Sequence, residues 1–100
     1  MVKIDQETVM ITWIKRTIRD SRVSELAELQ RQVESIDTTI DHIEKRVAIA
    51  ERQFRDGVKP GEIHYSLENA YAYKSQNLPF YIQQRQPLAL RIQELERKLA

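Results

Sequence analysis

The sequence contains no cysteine, so disulfide bonds, a thiol nucleophile and cysteine-ligated zinc are excluded. Glycine and proline are scarce, with two and three residues, and all of them lie after residue 56. The first half of the chain therefore contains no strong helix breaker. No apolar run approaches the ~20 residues that span a bilayer, and the N-terminus lacks the pattern of a secretory signal. We therefore expect a cytoplasmic protein that does not enter a membrane.

An excess of charge of one sign is also missing. The 16 Lys and Arg residues and 15 Asp and Glu residues leave a net charge of +1, which gives no general attraction to nucleic acid or to an anionic membrane. Hydrophobic residues make up 41% of the chain and charged residues 31%, a composition typical of a chain that folds. At 100 residues, we expect residues 1–100 to form one domain.

The most specific pattern is a heptad repeat in the first half. Its apolar residues recur at alternating spacings of three and four: Leu26, Leu29, Val33, Ile36, Ile40, Ile43, Val47, Ala50 and Phe54. This spacing, sustained over roughly four heptads, predicts the a/d seam of a coiled coil. Asp5 is a suitable N-cap, and no breaker precedes Gly57. The sequence therefore predicts one long helix over residues 5–56.

A second helical arm is predicted to fold back on the first. Gly57 suits the left-handed position after a helix, and Pro60 suits the first turn of the next one. A turn over residues 57–60 forces the following arm to run antiparallel. That arm, residues 60–99, keeps one heptad frame: Leu67, Tyr71, Leu78, Tyr81, Leu88, Ile92, Leu95 and Leu99. We therefore predict an all-α fold, an antiparallel helical hairpin with coiled-coil packing.

Two prolines interrupt the return arm. Pro79 follows a polar segment that disfavours helix, and Pro87 removes a hydrogen bond to Gln83. Because the heptad frame continues past both prolines, we expect a kinked arm that stays against the first helix. The alternative is a three-helix arrangement broken near residues 77–79.

The N-terminal segment carries apolar residues that the seam does not use. Ile11, Ile14 and Ile18 form one stripe and Trp13 widens it; we call these four residues the N-terminal face. A helix over residues 5–56 spans roughly 78 Å, and the return arm only about 60 Å. The face therefore lies on an overhang. We expect it to be covered by a folded-back C-terminal piece, a second copy of the chain or another protein.

Charged and aromatic residues add further binding candidates. Lys15, Arg16, Arg19 and Arg22, here the basic set, follow Trp13 and suit either an acidic protein surface or phosphates. Tyr73 and Phe80 lie off the seam frame near Pro79. Aromatic side chains, tyrosine above all, are enriched in the hot spots of protein interfaces, so these two are candidate partner contacts.

No catalytic, metal or cofactor site is predicted. His42 and His64 are the only histidines, whereas a metal site needs three or four converging ligands. There is no nucleophile motif and no glycine-rich phosphate loop, and a thin hairpin offers no pocket that excludes water. We therefore expect the protein not to be an enzyme.

These patterns favour a non-enzymatic protein–protein interaction module, such as an adaptor, an assembly or secretion chaperone, or a small protein inhibitor. It is expected to bind another protein, or a second copy of itself, through the N-terminal face and the basic set. One alternative is a nucleic-acid-binding helical protein that uses the basic residues between 15 and 22. The other is a structural coiled coil that only assembles with itself.

Overall fold

The computed structural model describes residues 6–100 as two helices, α1 (Gln6–Asp56) and α2 (Leu67–Leu99), which pack against each other. The all-α helical hairpin predicted from the sequence is thereby confirmed. The molecule is elongated, with extents of 83 × 26 × 16 Å. The predicted N-cap, Asp5, lies outside the described residues.

Helix α1 is one continuous helix of 51 residues. It continues through the change of register between Ile18 and Leu26, where the apolar stripe shifts around the helix by about 80° at 3.6 residues per turn. From Leu26 onward the predicted seam residues are half-buried or buried as far as Ala50. The deepest are Ile43, Val47 and Ala50, each 5% exposed or less.

The prediction that Phe54 is the last seam residue is wrong, because its side chain is 78% exposed. Gln53 is buried in its place. The reason is that α1 faces the connecting loop here and no longer faces α2. The Gln53 side-chain amide makes two hydrogen bonds to the backbone of that loop. Its Nε2 donates to the Ile63 carbonyl at 2.8 Å, and its Oε1 accepts from the Tyr65 N–H at 2.9 Å. A phenylalanine could make neither bond.

The connection is longer than predicted, covering residues 57–66 and not 57–60. Gly57 adopts the expected left-handed geometry, with φ 87°, but Gly61 does too, with φ 83°. A second left-handed residue stops a helix from starting at Pro60. The helix starts instead after Ser66, the N-cap whose Oγ accepts from the Asn69 N–H at 3.4 Å.

Helix α2 runs without a break from Leu67 to Leu99 and contains both prolines, so the three-helix alternative is wrong. Pro79 and Pro87 are exposed, as are Ser75 and Gln83, the residues whose carbonyls lose their partner to the prolines. Water can satisfy those carbonyls, which is why the helix tolerates both prolines.

The predicted seam of α2 is largely confirmed. Leu95 is fully buried, and the other members are half-buried except Tyr71, which is 45% exposed. Ala70 is buried beside it, and the Tyr71 hydroxyl donates to Glu51 on α1 at 3.0 Å. The small side chain of Ala70 allows close approach of the helices, which explains why it takes the buried place.

Candidate functional site

The N-terminal part of α1 lies outside the hairpin core. Every residue from 6 to 21 is exposed. The side chains of the N-terminal face are 44–66% exposed, and Val9 and Met10 beside them are 50% and 62% exposed. From Leu26 to Ala50, by contrast, the seam residues of α1 are half-buried or buried. The N-terminal part of α1 is therefore an apolar surface that the fold leaves exposed.

The length of α2 explains this exposure. Its last residues, Lys98 and Leu99, lie beside Lys15, Ile18 and Arg22, where they line an open groove of about 400 Å³. Residues 6–14 extend beyond that point by about 14 Å. The predicted covering by a folded-back C-terminal piece is wrong for residues up to 100, because α2 stays alongside α1 to its end.

The change of register also turns the face away from the line of α2. Continuing the seam back from Leu26 leads to Arg22, Arg19 and Lys15, not to the isoleucines. The isoleucine stripe lies about 80° around the helix from that line. A straight continuation of α2 therefore meets basic residues, and a molecule that covers the isoleucines must approach from the side.

The basic set has no ion-pair partner within residues 6–100, whereas seven cations in the hairpin form salt bridges. Those seven are Arg31, Lys45, Arg52, Arg55, Arg85, Arg91 and Lys98. The four cations of the basic set are thus available to an external anion. Sequence reasoning identified this set but missed Lys98 and Leu99, which complete the groove. Knowing the loop length would have revealed them, because the loop length sets which residues of α1 the end of α2 lies beside.

A network of ion pairs fixes the end of α2 next to this segment. Arg91 donates to Glu25 from Nε at 2.9 Å and from Nη2 at 3.2 Å, and it also contacts Glu94 at 3.0 Å. Lys98 contacts Glu94 at 2.9 Å. The Lys98 and Arg91 cations lower the pKa of Glu94 to about 2, and Arg91 lowers the pKa of Glu25. The network sets the boundary between the paired hairpin and the exposed segment.

Tyr73 and Phe80, the other candidate contacts, lie far from the N-terminal face. The Arg46 guanidinium lies 5.2 Å from the ring centroids of both Tyr65 and Tyr73, so Tyr73 is part of the packing between the helices. Phe80 is 54% exposed and meets Tyr81 edge-on at 5.5 Å. The contact with Arg46 puts Tyr73 roughly 45 Å along α1 from the N-terminal face, so the fold does not bring these residues into one site.

The loop end of the hairpin carries a second set of exposed apolar side chains. Phe54, Val58 and Ile63 are 78%, 44% and 72% exposed. Sequence reasoning missed this set because it assigned Phe54 to the seam and made the loop shorter. The ion pairs nearby are internal: Arg52 binds Glu62, and Arg55 binds Asp56.

No three His, Asp or Glu side chains of residues 6–100 converge as metal ligands would. Neither α1 nor α2 contains a stretch apolar enough to cross a membrane. Compared with known proteins, the chain matches no family model, no curated protein sequence and no solved structure.

Proposed function

We propose that the protein is a non-enzymatic protein-binding module that docks through the N-terminal face. The observation that carries the proposal is the exposure of that face: among the described residues, Trp13 is 66% exposed and Ile14 45% exposed. Soluble monomers rarely expose a contiguous apolar patch larger than a few hundred Å², and larger ones mark interaction sites. An adaptor, an assembly or secretion chaperone and a small inhibitor all fit this description.

The binding energy comes from burial of apolar surface. Large aromatic anchors at the centre of an interface carry much of its affinity, and Trp13 is the only tryptophan in the chain. The basic set contributes mainly to the rate and orientation of the encounter, because rim charges steer association more than they hold the complex.

The hairpin presents this surface already folded. The N-terminal segment is the first part of α1, so its helix is continuous with the part that α2 stabilises. Ordering a segment on binding costs free energy, and a preformed helix reduces that cost. The role of α2 in this proposal is to stabilise α1 as far as the groove that Lys15, Ile18 and Arg22 line with the end of α2.

Photo-crosslinking in the source cells tests the proposal. A photoreactive residue at Ile14 is expected to form an adduct with another protein, and the same residue at exposed Phe54 at the far end of α1 is expected not to form it. Adding Trp13→Ala should weaken the Ile14 adduct at unchanged helicity by circular dichroism. Adding Phe54→Ala, the matched aromatic truncation, should leave it unchanged.

Three results contradict the proposal. Identical adducts from positions 14 and 54 indicate non-specific contact. Loss of helicity in step with loss of the adduct in Trp13→Ala indicates that Trp13 belongs to an ordinary core. Adducts only between copies of the chain favour the self-assembling coiled coil instead.

Nucleic-acid binding is a second candidate, supported by the unpaired cations of the basic set. A salt titration separates the two candidates. Phosphate contacts lose affinity steeply as salt rises because counterions are released, whereas apolar docking does not.

A further inference from the structure

We infer that the partner bound at the N-terminal face is an amphipathic helix with acidic residues along one edge. This inference rests on the proposed function. Apolar and basic residues lie on different sides of α1 in this segment. At 100° per residue, Ile11, Ile14 and Ile18 form one stripe. Lys15, Arg19 and Arg22 border that stripe on one side only.

The opposite border carries no base, and its one acid, Asp20, lies seven residues after Trp13. Met10, Trp13 and Thr17 lie on that side, and the indole offers a large apolar surface there. The docking surface is therefore an apolar stripe with one basic edge and one aromatic edge. A helix that covers the stripe and pairs with the basic edge needs apolar residues at i, i+3, i+4 and i+7 and acids along one side.

Charge argues against a second copy as the occupant. When two helices pack antiparallel, each edge meets the same edge of the other helix, so Lys15, Arg19 and Arg22 meet their own counterparts. Like charges across an interface disfavour that pair. When they pack parallel, the basic edge meets the edge with Trp13 and Asp20. Residues 6–22 carry two acids, Glu7 and Asp20, against the four cations of the basic set, so a second copy of this segment adds net positive charge.

The groove at the end of α2 extends the basic edge. Lys98 and Leu99 line it together with Lys15, Ile18 and Arg22. A bound helix that reaches this groove contacts both α1 and α2 and completes a local three-helix bundle. Lys98 already forms a salt bridge with Glu94 at 2.9 Å. The unpaired cations of α1 are therefore the main acid-binding groups.

Arg16 serves as an internal control for this geometry. It lies about 160° around the helix from Ile14, on the side away from the stripe. Acid recognition therefore belongs to Lys15, Arg19 and Arg22 and not to Arg16, although all four are close in sequence and none forms an ion pair within the described residues.

A selection from a displayed peptide library tests the inference on the full-length protein. Each peptide is an amphipathic helix of about 18 residues, roughly 27 Å long, with both edges randomised among Glu, Gln and Lys. We expect the selected peptides to carry Glu along one edge. The same selection on the triple variant Lys15→Glu, Arg19→Glu, Arg22→Glu should return Lys along that edge.

The second readout is the affinity of the selected acidic peptide for the parent protein and its variants, measured by the change in Trp13 fluorescence on binding. We expect the triple variant to bind at least about tenfold more weakly, and Arg16→Glu to bind within about twofold of the parent, because distant exposed charges contribute little. Circular dichroism confirms that each variant remains folded.

The outcomes separate the inference from the proposed function. Binders that show no preference for Glu but are lost in Ile14→Asp overturn the acidic helix and leave protein binding intact. Binders that Ile14→Asp does not affect overturn both. Self-association through the face in sedimentation experiments, or binding of a duplex DNA that Ile14→Asp leaves unchanged, also overturns the inference.

Discussion

At the residue scale, the buried amide of Gln53 decides where the second helix begins. Its two ends bind the Ile63 carbonyl and the Tyr65 N–H, which holds this part of the loop extended along α1. Glu62 makes two further hydrogen bonds in the loop region: its carboxylate accepts from the Arg52 guanidinium and from the Lys59 N–H. These bonds keep residues 62–65 out of the helix that the sequence pattern alone predicts from Pro60.

Replacing Gln53 with alanine removes both bonds and leaves two partly buried backbone groups without partners. Each such group costs about 1–3 kcal/mol, so we expect Gln53→Ala to lower the free energy of unfolding by at least that amount. Urea denaturation measures the change. The control is Gln30→Ala, an exposed site on the same helix, which should change stability by less than about 0.5 kcal/mol. Equal effects would show that Gln53 does not fasten the loop.

Polar residues such as Gln53 explain where sequence reasoning failed. Heptad spacing predicted α1, the seam and the antiparallel return, because apolar periodicity determines which faces are buried. It could not predict that a glutamine takes the last seam place, since that depends on loop carbonyls and N–H groups far along the chain. The exposed N-terminal face was predicted from helix lengths, whereas the groove formed with Lys98 and Leu99 required the true loop length.

At the element scale, α2 accommodates two interior prolines because both face water. Proline in a helix interior is about 3 kcal/mol less favourable than alanine, through the lost hydrogen bond and the ring clash. We expect Pro87→Ala to restore the bond to the Gln83 carbonyl and to raise the free energy of unfolding by about 1–3 kcal/mol.

Thermal and urea unfolding of Pro87→Ala measure that gain, with Gln86→Ala as the control at the neighbouring exposed position. A loss of stability in Pro87→Ala would contradict the expectation. It would mean that bending at Pro87 is needed to keep the seam of α2 against α1.

The end of α2 also has a predictable response to acid. The pKa of Glu94 is lowered to about 2 and that of Glu25 is lowered from 4.5, in each case by cations paired with the carboxylate. A carboxyl group whose pKa is lower in the folded state stabilises the fold above its unfolded pKa. That stabilisation is lost as the pH falls from about 4.5 towards 2, when the ionised form is no longer favoured.

We therefore expect the melting temperature to change little between pH 7 and 5 and to fall below about pH 4.5. Glu94→Gln should reduce the size of that fall. Glu34→Gln, at a carboxylate without an ion pair within residues 6–100, should not. If Glu94→Gln melts with the parent profile at every pH, the ion-pair network contributes nothing to stability.

At the scale of the whole molecule, the hairpin is asymmetric. One end is closed by a loop tied to α1, and the other is open because α1 extends past α2. Apolar surface is exposed at both ends, but the open end combines it with the four cations of the basic set, none of which forms an ion pair within the described chain. The two ends therefore suit different tasks, and the proposed binding function belongs to the open end.

The central claim is that one copy of the chain leaves the N-terminal face in water. Trp13 reports on this directly because it is the only tryptophan. Its fluorescence emission and acrylamide quenching are measured on the dilute purified protein, at a concentration where sedimentation finds a monomer. We expect the folded monomer to give the same emission maximum as the urea-unfolded chain and nearly the same quenching. A blue-shifted emission protected from acrylamide in the monomer would contradict the claim, because Trp13 would then be buried within a single copy.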